Sequence, residues 1–277
     1  MGRSAIELSA IYIYPVKSLR GVSLRDAALD NGRLVGDREY LLVGPSGWFM
    51  HQRDYPQMTR IEATPTDGGL VVRTAALPPL EIERPSAVAA GDVVHVPLWR
   101  RSAPVTPVSR EADAWFSRAL GVRCRLMAFV PEVPALHLPS YETNSSLQDA
   151  TPFHLTSESS LADLNARMGA PIQMNRFRPN LVVRGAVPYA EDDWRRISIG
   201  ETTLEWVKPC TRCVATTTDQ ETGHRENREP LYTLARYRRV GNEVVFGHYL
   251  VATAWGDRLR VGDAVAVHSI ADSLGAV

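Results

Sequence analysis

The chain of 277 residues contains few cysteines, almost no lysine and no net charge. Three cysteines are too few, and odd in number, for a disulfide framework, which favours a reducing compartment. Lys plus Arg equals Asp plus Glu at 31 each, so the overall charge does not favour nucleic acid or an anionic membrane as a partner. Only Lys17 and Lys208 are lysines. This bias towards arginine, with abundant alanine, is typical of a GC-rich bacterial gene.

Long hydrophobic runs are also missing. No window has the length of apolar residues that a bilayer-spanning helix needs. The N-terminal residues M-G-R-S-A-I-E-L lack the apolar segment of a signal peptide, because Glu7 interrupts the only candidate run. These absences predict a soluble, cytoplasmic protein. The hydrophobic share of 44% and the charged share of 22% are ordinary for a globular chain, which at this length forms one large all-β unit or two domains.

Short extended segments separated by Gly and Pro dominate residues 5–108 and favour a barrel or sandwich without a helix. Within this region, residues 5–14 predict a strand, and Asn31-Gly32 predicts a hairpin turn. Further along the chain, capping residues and apolar spacing predict helices from Ser109 to Gly121, from Thr156 or Ser157 onward, and from Pro230 to about Arg239. Strands are expected again at 244–251 and 257–267.

The segment V-K-P-C-T-R-C-V-A-T-T-T-D-Q-E-T-G, residues 207–223, holds two of the three cysteines and allows four interpretations. A structural zinc site needs four ligands, which Cys124 and scattered histidines do not supply at a matching spacing. A thioredoxin-like pair requires a helix N-terminus, whereas residues 214–218 favour a strand. Two buried cysteines in a strand are a third possibility. In the fourth, one thiolate binds a soft transition metal and Arg212 holds an anionic cofactor.

Other stretches carry candidate anion-binding groups, each with an ordinary alternative. Lys17 and Ser18 follow a strand end and suit a phosphate, but a solvated turn lysine fits as well. Arg38 has Asp37 and Glu39 beside it and can simply pair with them. The alternatives remain open for these residues.

Two later stretches have the same ambiguity. Residues 149–153 lead to a helix N-terminus at Thr156 or Ser157, which either binds an anion or is merely capped. The loop Arg176-Phe-Arg178-Pro-Asn180 is able to clamp a phosphate or a heterocycle, or is a surface turn before a strand.

Taken together and in order, six segments resemble the MOSC family, named after the C-terminal domain of molybdenum cofactor sulfurase. They are Y-P-V-K-S, G-D-R-E-Y-L-L-V, S-L-A-D-L-N, R-F-R-P-N-L-V-V, Y-A-E-D-D-W and P-C-T-R-C-V-A-T-T-T-D-Q-E-T-G. The last segment is the most specific. The resemblance extends from about Ile11 to Val267 and is to the amidoxime-reducing branch.

The resemblance implies a mainly β fold with a few helices (α+β), in which an N-terminal β-barrel-like domain (residues 1–125) packs against a MOSC β-barrel domain (126–277). It also implies a molybdenum–molybdopterin cofactor whose metal is bound by Cys213, with Cys210 as a neighbour. The implied pterin- and phosphate-binding residues are Lys17, Ser18, Arg38, Thr151, Ser157, Arg178, Asn180 and Arg212, Ser157 mainly because of its place before a predicted helix. Ala150 stands where a relative has a hydroxyl residue.

The implied activity is the reduction of small N-hydroxylated compounds by oxygen abstraction at molybdenum, independent of pyridoxal phosphate. Electrons are expected from a separate reductase, ferredoxin or cytochrome-like protein, because no four-cysteine iron–sulfur spacing occurs. Asp219 is a candidate proton relay, although D-Q-E-T-G also suits an Asx turn. Alternatives from other classes are a molybdenum-cofactor or sulfur carrier without turnover, and a zinc-binding interaction module.

Overall fold

The computed structural model describes residues 5–85, 88–99, 101–131 and 146–271. Most of the polar stretch between Pro131 and Pro152 that the sequence predicts as a loop lies outside these residues, as does the extreme N-terminus. Among the helices in the described ranges, none is both long enough and apolar enough to cross a bilayer.

Strands dominate the described chain, which confirms the predicted mainly β class with a few helices. The strands of the first part are β1 (Glu7–Ile13), β2 (Val22–Leu24), β3 (Asp26–Asp30), β4 (Arg33–Leu34), β5 (Tyr40–Val43), β6 (Glu62–Thr66), β7 (Gly69–Thr74), β8 (Leu77–Glu83), β9 (Val94–Leu98) and β10 (Arg101–Pro107). The later strands are β11 (Arg125–Phe129), β12 (Phe153–Ser157), β13 (Leu181–Arg184), β14 (Trp194–Ile199), β15 (Thr202–Thr211), β16 (Arg239–Val240), β17 (Glu243–Ala254), β18 (Arg258–Arg260) and β19 (Val265–Ile270).

Helices are short and lie between these strands. The α-helices are α1 (Arg110–Leu120), α2 (Glu158–Ala166) and α3 (Leu231–Leu234). The 3₁₀ helices are Pro56–Arg60, Ala90–Asp92, Met174–Phe177, Ala190–Asp192 and Val214–Thr217.

The largest sheet joins the start of the chain to its second half. Its strands run in the order β19-β14-β15-β17-β12-β13-β1-β2, with β16 on β17. Within it, β1 pairs antiparallel with β13, so that Ile11 lies opposite Leu181, and β12 runs parallel to β13. The apolar faces of β1, β12 and β13 share one core cluster, which includes Leu8, Phe153 and Val183. The Y-P-V-K-S segment after β1 therefore lies beside the loop that precedes β13.

The smaller sheets belong mainly to the first half of the chain. Their strand orders are β5-β11-β10-β9, β6-β7-β8 and β18-β3-β4. A second core cluster combines β6–β8 with α1, whose Trp115 and Phe116 are buried. Burying each of these rings contributes on the order of 1.5–3 kcal/mol. The predicted hairpin at Asn31-Gly32 connects β3 to β4, and both residues have positive φ, 49° and 70°, as the turn requires.

Helix α1 begins and ends where the sequence predicts. The Ser109 hydroxyl accepts a hydrogen bond from Ala112 N at 3.1 Å, and Gly121 ends the helix with φ of 69°. Helix α2 follows Ser157, also as predicted.

Two local predictions were wrong. The β-branched run after Cys213 is a 3₁₀ helix, Val214–Thr217, rather than a strand. Its threonine hydroxyls donate back along the chain, Thr216 Oγ1 to Cys213 O at 2.9 Å and Thr217 Oγ1 to Val214 O at 2.8 Å. These local bonds favour a turn over the strand that the side chains otherwise prefer.

The third predicted helix is shorter than expected. It ends at Leu234 rather than near Arg239, because Arg239 already pairs with Val244 in the β16–β17 ladder. Strand pairing in this short hairpin therefore overrides the helical pattern of the sequence.

Candidate functional site

A cavity of about 320 Å³ lies where the loop after β1 meets the loops before β13 and after β15. Eight of the residues that the sequence analysis singles out line it: Lys17, Ser18, Arg38, Thr151, Arg178, Asn180, Arg212 and Cys213. The pairing of β1 with β13 accounts for much of this convergence, because it brings the N-terminal motif against the R-F-R-P-N loop. The structure thus gathers residues from distant parts of the sequence around one space.

Cys213 reaches the cavity because β15 ends just before it. The backbone N of Arg212 donates to a β17 carbonyl at 2.7 Å, and Cys213 then leaves the sheet to precede the 3₁₀ helix. The β15–β17 ladder also has a register shift between Pro209 and Thr211. Side chains alternate along a regular strand, so Lys208 and Thr211 would otherwise face opposite sides. Both line the cavity.

The two cysteines of this segment have different surroundings. Cys213 is partly exposed and lines the cavity, whereas Cys210 is only 1% exposed. Arg212 Nη1 donates to Cys210 Sγ at 2.7 Å, and Arg212 Nη2 donates to Phe177 O at 2.7 Å. Burial raises the pKa of the Cys210 thiol despite the nearby guanidinium. Cys213 is therefore the cysteine accessible to a ligand in the cavity. Within the described ranges, no group of three or more His, Cys, Asp or Glu side chains is arranged to hold a metal ion.

Left-handed backbone conformations concentrate at this cavity. Ser18, Arg38, Trp99 and Arg178 all line it, with φ of 69°, 51°, 57° and 54°. Each such conformation costs a non-glycine residue roughly 1 kcal/mol or more and persists only where the surroundings hold it. Strain of this kind clusters at functional sites, because a strained backbone directs a side chain into the site and a relaxed backbone would direct it elsewhere.

Asn180 connects the two sides of the cavity. Its Nδ2 donates to Tyr12 O at 3.1 Å, and its Oδ1 accepts from Arg38 Nη1 at 3.0 Å and from His154 N at 3.3 Å. The residue is only 1% exposed. Most of its hydrogen-bonding capacity therefore holds Arg38 and β12 in place.

Lys17 is bound within a small polar cluster. Its Nζ donates to Asp149 Oδ1 at 2.5 Å and to Leu147 O at 2.7 Å, and Trp99 Nε1 donates to the same Asp149 oxygen at 2.7 Å. Burial lowers the pKa of Lys17, and the charge of Asp149 partly offsets that effect. Asp149 thereby connects the lysine to the indole at the cavity wall.

The cavity carries a clear excess of positive charge. Among the described residues, its lining contains six cationic side chains, Lys17, Arg38, Arg53, Arg178, Lys208 and Arg212, and one carboxylate, Asp149. Arg178, Arg212 and Lys208 form no ion pair with a described carboxylate. Burial lowers the pKa of Arg178 to about 10, and repulsion from Arg38 adds to this. Unpaired cations with reduced hydration favour an anionic ligand.

His154 lines the cavity, and no feature of the sequence indicated it. Its Nδ1 lies 3.4 Å from Arg178 O, and its Nε2 lies 3.5 Å from Arg212 Nη1. Burial, with the adjacent Arg212 charge, holds the pKa of His154 well below its usual value, so the ring is neutral. Gly247 makes room for it: a Cβ there would lie 2.6 Å from His154 Nε2 and 2.5 Å from Leu155 O.

Sequence reasoning also missed several other lining residues, namely Arg53, Trp99, Lys208 and Tyr249. One of them carried a usable signal: Lys208 is the second of only two lysines, and both lie at this cavity. Ala150 also lines the cavity, where it presents a methyl group and no hydroxyl.

Two predicted residues do not line the cavity. Ser157 is fully buried and bonds to Ser159 Oγ at 2.7 Å. Asp219 instead forms the expected Asx turn, in which its Oδ1 accepts from the backbone N of Glu221 at 3.0 Å and of Thr222 at 2.8 Å. Its Oδ2 accepts from Arg176 Nη2 at 3.1 Å. Both carboxylate oxygens of Asp219 therefore have protein partners.

Comparison with known families matches both halves of the chain. The family model for the MOSC domain matches residues 142–266, and the model for the MOSC N-terminal beta barrel domain matches residues 5–123. The first β-strands nevertheless pair with strands of the second matched region, as described above.

Known proteins with similar sequences include amidoxime reducing components and molybdenum cofactor sulfurases. The mitochondrial amidoxime reducing component 2 of Rattus norvegicus is 32% identical over 281 residues, which cover 93% of this chain and 82% of that protein. The molybdenum cofactor sulfurase of Oryza sativa subsp. japonica is 32% identical over 273 residues, which cover 88% of this chain but only 32% of that protein. Among solved structures, the YuaD protein from Bacillus subtilis is 12% identical, with a TM-score of 0.47 over 97% of this chain and 99% of that one.

Proposed function

The chain belongs to the MOSC family, with a MOSC N-terminal β-barrel region before the MOSC domain, and from this premise we propose that it is a molybdenum-cofactor-dependent reductase of N-hydroxylated compounds. One observation carries the proposal: a partly exposed thiol, Cys213, lies in a cavity whose lining is rich in unpaired cations. A soft metal needs the sulfur and an anionic cofactor needs the cations.

The donor set fits a molybdopterin cofactor, which combines a phosphate monoester, a polar bicycle and a metal-binding dithiolene. The phosphate is proposed to bind at Arg38 and Arg178. Arg212, which like Arg178 lacks a carboxylate partner among the described residues, adds positive charge to the same cavity. Arg212 Nε is buried and has no hydrogen-bond partner in the described part of the chain, as expected of a group that awaits a ligand. Cys213 is the proposed protein ligand of the metal.

Other lining residues have supporting roles in this proposal. Thr151 and Ser18 supply hydroxyl groups, and Asp149 supplies an acceptor for the N–H groups of a bicycle. Tyr249 keeps its phenol proton, because burial raises its pKa well above the usual value, so it remains a hydrogen-bond donor at the wall. Ser157 and Asp219 have no role in this proposal, because neither lines the cavity.

Bound molybdenum supplies the two-electron chemistry that removes the oxygen of an N–OH group. The protein residues bind the cofactor, position its metal beside Cys213 and present a polar wall to the substrate. Electrons are proposed to come from a separate donor protein of the reductase, ferredoxin or cytochrome type.

The test is production of the full chain in a host that makes the molybdenum cofactor. We expect stoichiometric molybdenum and pterin, and reduction of benzamidoxime with a chemical reductant. In Cys213→Ala, bound molybdenum is expected to fall at least about tenfold, because the protein thiolate is lost. Cys124→Ala is the matched control, since Cys124 is buried in the core of the first half. Full retention of metal by Cys213→Ala would remove that residue as the ligand.

The second candidate is a carrier that binds the cofactor or its sulfur without turnover. It is favoured by the similarity to the sulfurase, although this chain spans only about a third of that protein. A protein that retains molybdenum, fails to reduce benzamidoxime and transfers its cofactor to an apo-molybdoenzyme would be this carrier. Benzamidoxime turnover without transfer identifies the reductase.

A further inference from the structure

We propose that Tyr14 is a positioning residue that sets Arg38 and Arg178 as one anion-binding pair. The pair is proposed to bind a phosphate-like dianion. This inference rests on the proposed function only for the identity of the natural anion, the phosphate of the cofactor. Tyr14 itself is 2% exposed and does not line the cavity.

Tyr14 is bonded to both loops that carry these arginines. Its backbone N donates to Asp37 Oδ1 at 2.9 Å, and its backbone O accepts from Arg38 N at 2.9 Å. At the other end of the side chain, the hydroxyl donates to Pro179 O at 3.0 Å. One residue therefore holds the chain beside Arg38 and the chain beside Arg178.

The ring of Tyr14 contacts both guanidinium groups. The Cζ atoms of Arg38 and Arg178 each lie 4.2 Å from the ring centroid, a distance at which the electron-rich face of an aromatic ring attracts a cation. The ring thus gives two mutually repelling cations a shared neighbour that stabilises both.

The two arginines differ in their other partners. Arg38 Nη1 donates to both Asp37 oxygens at 2.7 Å, so a carboxylate compensates its charge. Arg178 Nη1 donates to Leu19 O at 2.7 Å and pairs with no carboxylate in the described ranges. The ring is therefore more important for Arg178 than for Arg38.

Backbone geometry makes this support necessary. Arg38 and Arg178 both have left-handed φ, 51° and 54°, which the local sequence does not favour. Such conformations persist where surrounding contacts impose them, and Tyr14 supplies contacts on both sides. Without the ring, we expect both side chains to sample other directions and the anion pair to be lost.

A purely structural role for Tyr14 makes a different prediction. The ring also packs closely against Gly21, where a Cβ would lie 2.6 Å from Tyr14 Cε1. If Tyr14 only filled space, its loss would lower stability and leave the anion affinity of the folded protein unchanged.

The test uses the full chain without cofactor, titrated calorimetrically with inorganic phosphate at low ionic strength. We expect Tyr14→Phe to bind phosphate within about threefold of the wild type, because the ring remains, and Tyr14→Leu to bind it about tenfold more weakly or worse. Tyr40→Leu is the matched control: Tyr40 is another buried tyrosine, in the core of the first half, and its loss should leave phosphate affinity unchanged.

Substitution of fluorinated phenylalanine at position 14 keeps the shape and weakens the ring's attraction for cations, so the test does not depend on Tyr14→Leu folding. Affinity for phosphate should fall stepwise with fluorination. Wild-type affinity in Tyr14→Leu or in the fluorinated series would overturn the proposal, as would a wild-type chain that does not bind phosphate. The phosphate probe contains no molybdenum, so the two proposals can fail separately. If phosphate binding depends on Tyr14 but the protein never retains molybdenum, only the proposed function is refuted.

Discussion

Two clusters of charged side chains in this chain are built differently. Around Asp192, Arg238 donates to both carboxylate oxygens at 2.5 and 2.8 Å, and His248 Nε2 lies 2.7 Å from one of them. In the cavity, Arg178 and Arg212 are also partly buried but have no carboxylate partner among the described residues. Charges compensated within the protein stabilise the fold. Burying a charge without a partner costs free energy, and a ligand of opposite charge offsets that cost when it binds.

The histidine of the Asp192 cluster also has its hydrogen-bond partners within the protein. Trp206 Nε1 donates to His248 Nδ1 at 3.0 Å, so the histidine has a partner on each ring nitrogen. These residues join the 3₁₀ helix at residues 190–192 to β15, β17 and the segment between α3 and β16. The cluster thus connects elements, and its carboxylate oxygens and histidine nitrogens all have protein partners. Arg238 Nε, like Arg212 Nε, has no partner among the described residues.

The largest effect on stability is expected in the Asp192 cluster. Arg238→Gln removes the cation that binds Asp192 bidentately. We expect the free energy of unfolding to fall by about 2–3 kcal/mol, between the values for exposed and for buried ion pairs, because Asp192 is 29% exposed. Urea unfolding measures this change, and phosphate affinity in the cavity should stay the same. A loss of less than about 0.5 kcal/mol would place the cluster with ordinary surface pairs.

The converse is expected in the cavity. Arg178→Gln removes a cation that has no carboxylate partner in the described ranges, so the free energy of unfolding should change by no more than about 1 kcal/mol. Affinity for inorganic phosphate should fall about tenfold, equivalent to about 1.4 kcal/mol, because a charge-assisted donor is lost. Calorimetry and urea unfolding of the same preparation separate the two effects. Strong destabilisation with unchanged affinity would show that the two clusters do not differ in the proposed way.

The third prediction concerns pH. The pKa of His154 is held well below its ordinary value of 6.5 by burial and by Arg212, so the unfolded chain binds this proton at a higher pH than the folded chain. Stability should therefore decrease as pH falls below 6.5, with a slope of up to about 1.4 kcal/mol per pH unit from this one group. His154→Gln should make the fall of stability between pH 6.5 and pH 5 shallower than in the wild type. Unfolding curves at several pH values provide the measurement, and parallel profiles for the two proteins would contradict it.

Glu191, which precedes Asp192 in the chain, supplies the control for this prediction. Burial raises the pKa of Glu191, so the folded chain keeps this proton to a higher pH than the unfolded chain does. Its contribution therefore has the opposite sign: stability is lost as pH rises through the raised pKa. Glu191→Gln should remove that loss and leave the His154 slope in place.

Local patterns in the sequence were sufficient for much of the fold. Ser109 and Gly121 carry their own capping chemistry, and Asn31-Gly32 adopts the positive φ values of a hairpin turn, so short-range physics determines these features. The strand predicted after Cys213 was wrong for a reason that is also local. Hydrogen bonds from threonine hydroxyls to the backbone outweighed the strand propensity of these residues.

The candidate site was only partly visible in the sequence. Motifs identified Lys17, Arg38, Arg178 and Cys213, and all four line the cavity. His154 had no signal, because its position depends on the space left by Gly247 on a neighbouring strand. Contacts of this kind arise only when strands from distant parts of the chain pair.

The sequence by itself determined the mainly β class, the capped helix α1, the family and the chemical character of the candidate ligands, since each depends on residue type and short spacing. Tertiary structure decided which cations remain unpaired and which are compensated. It also decided that Tyr14 contacts both Arg38 and Arg178 and that Asp219 does not line the cavity. The physical reason is that charge compensation depends on distances across the β1–β13 and β15–β17 pairings, which no local pattern encodes.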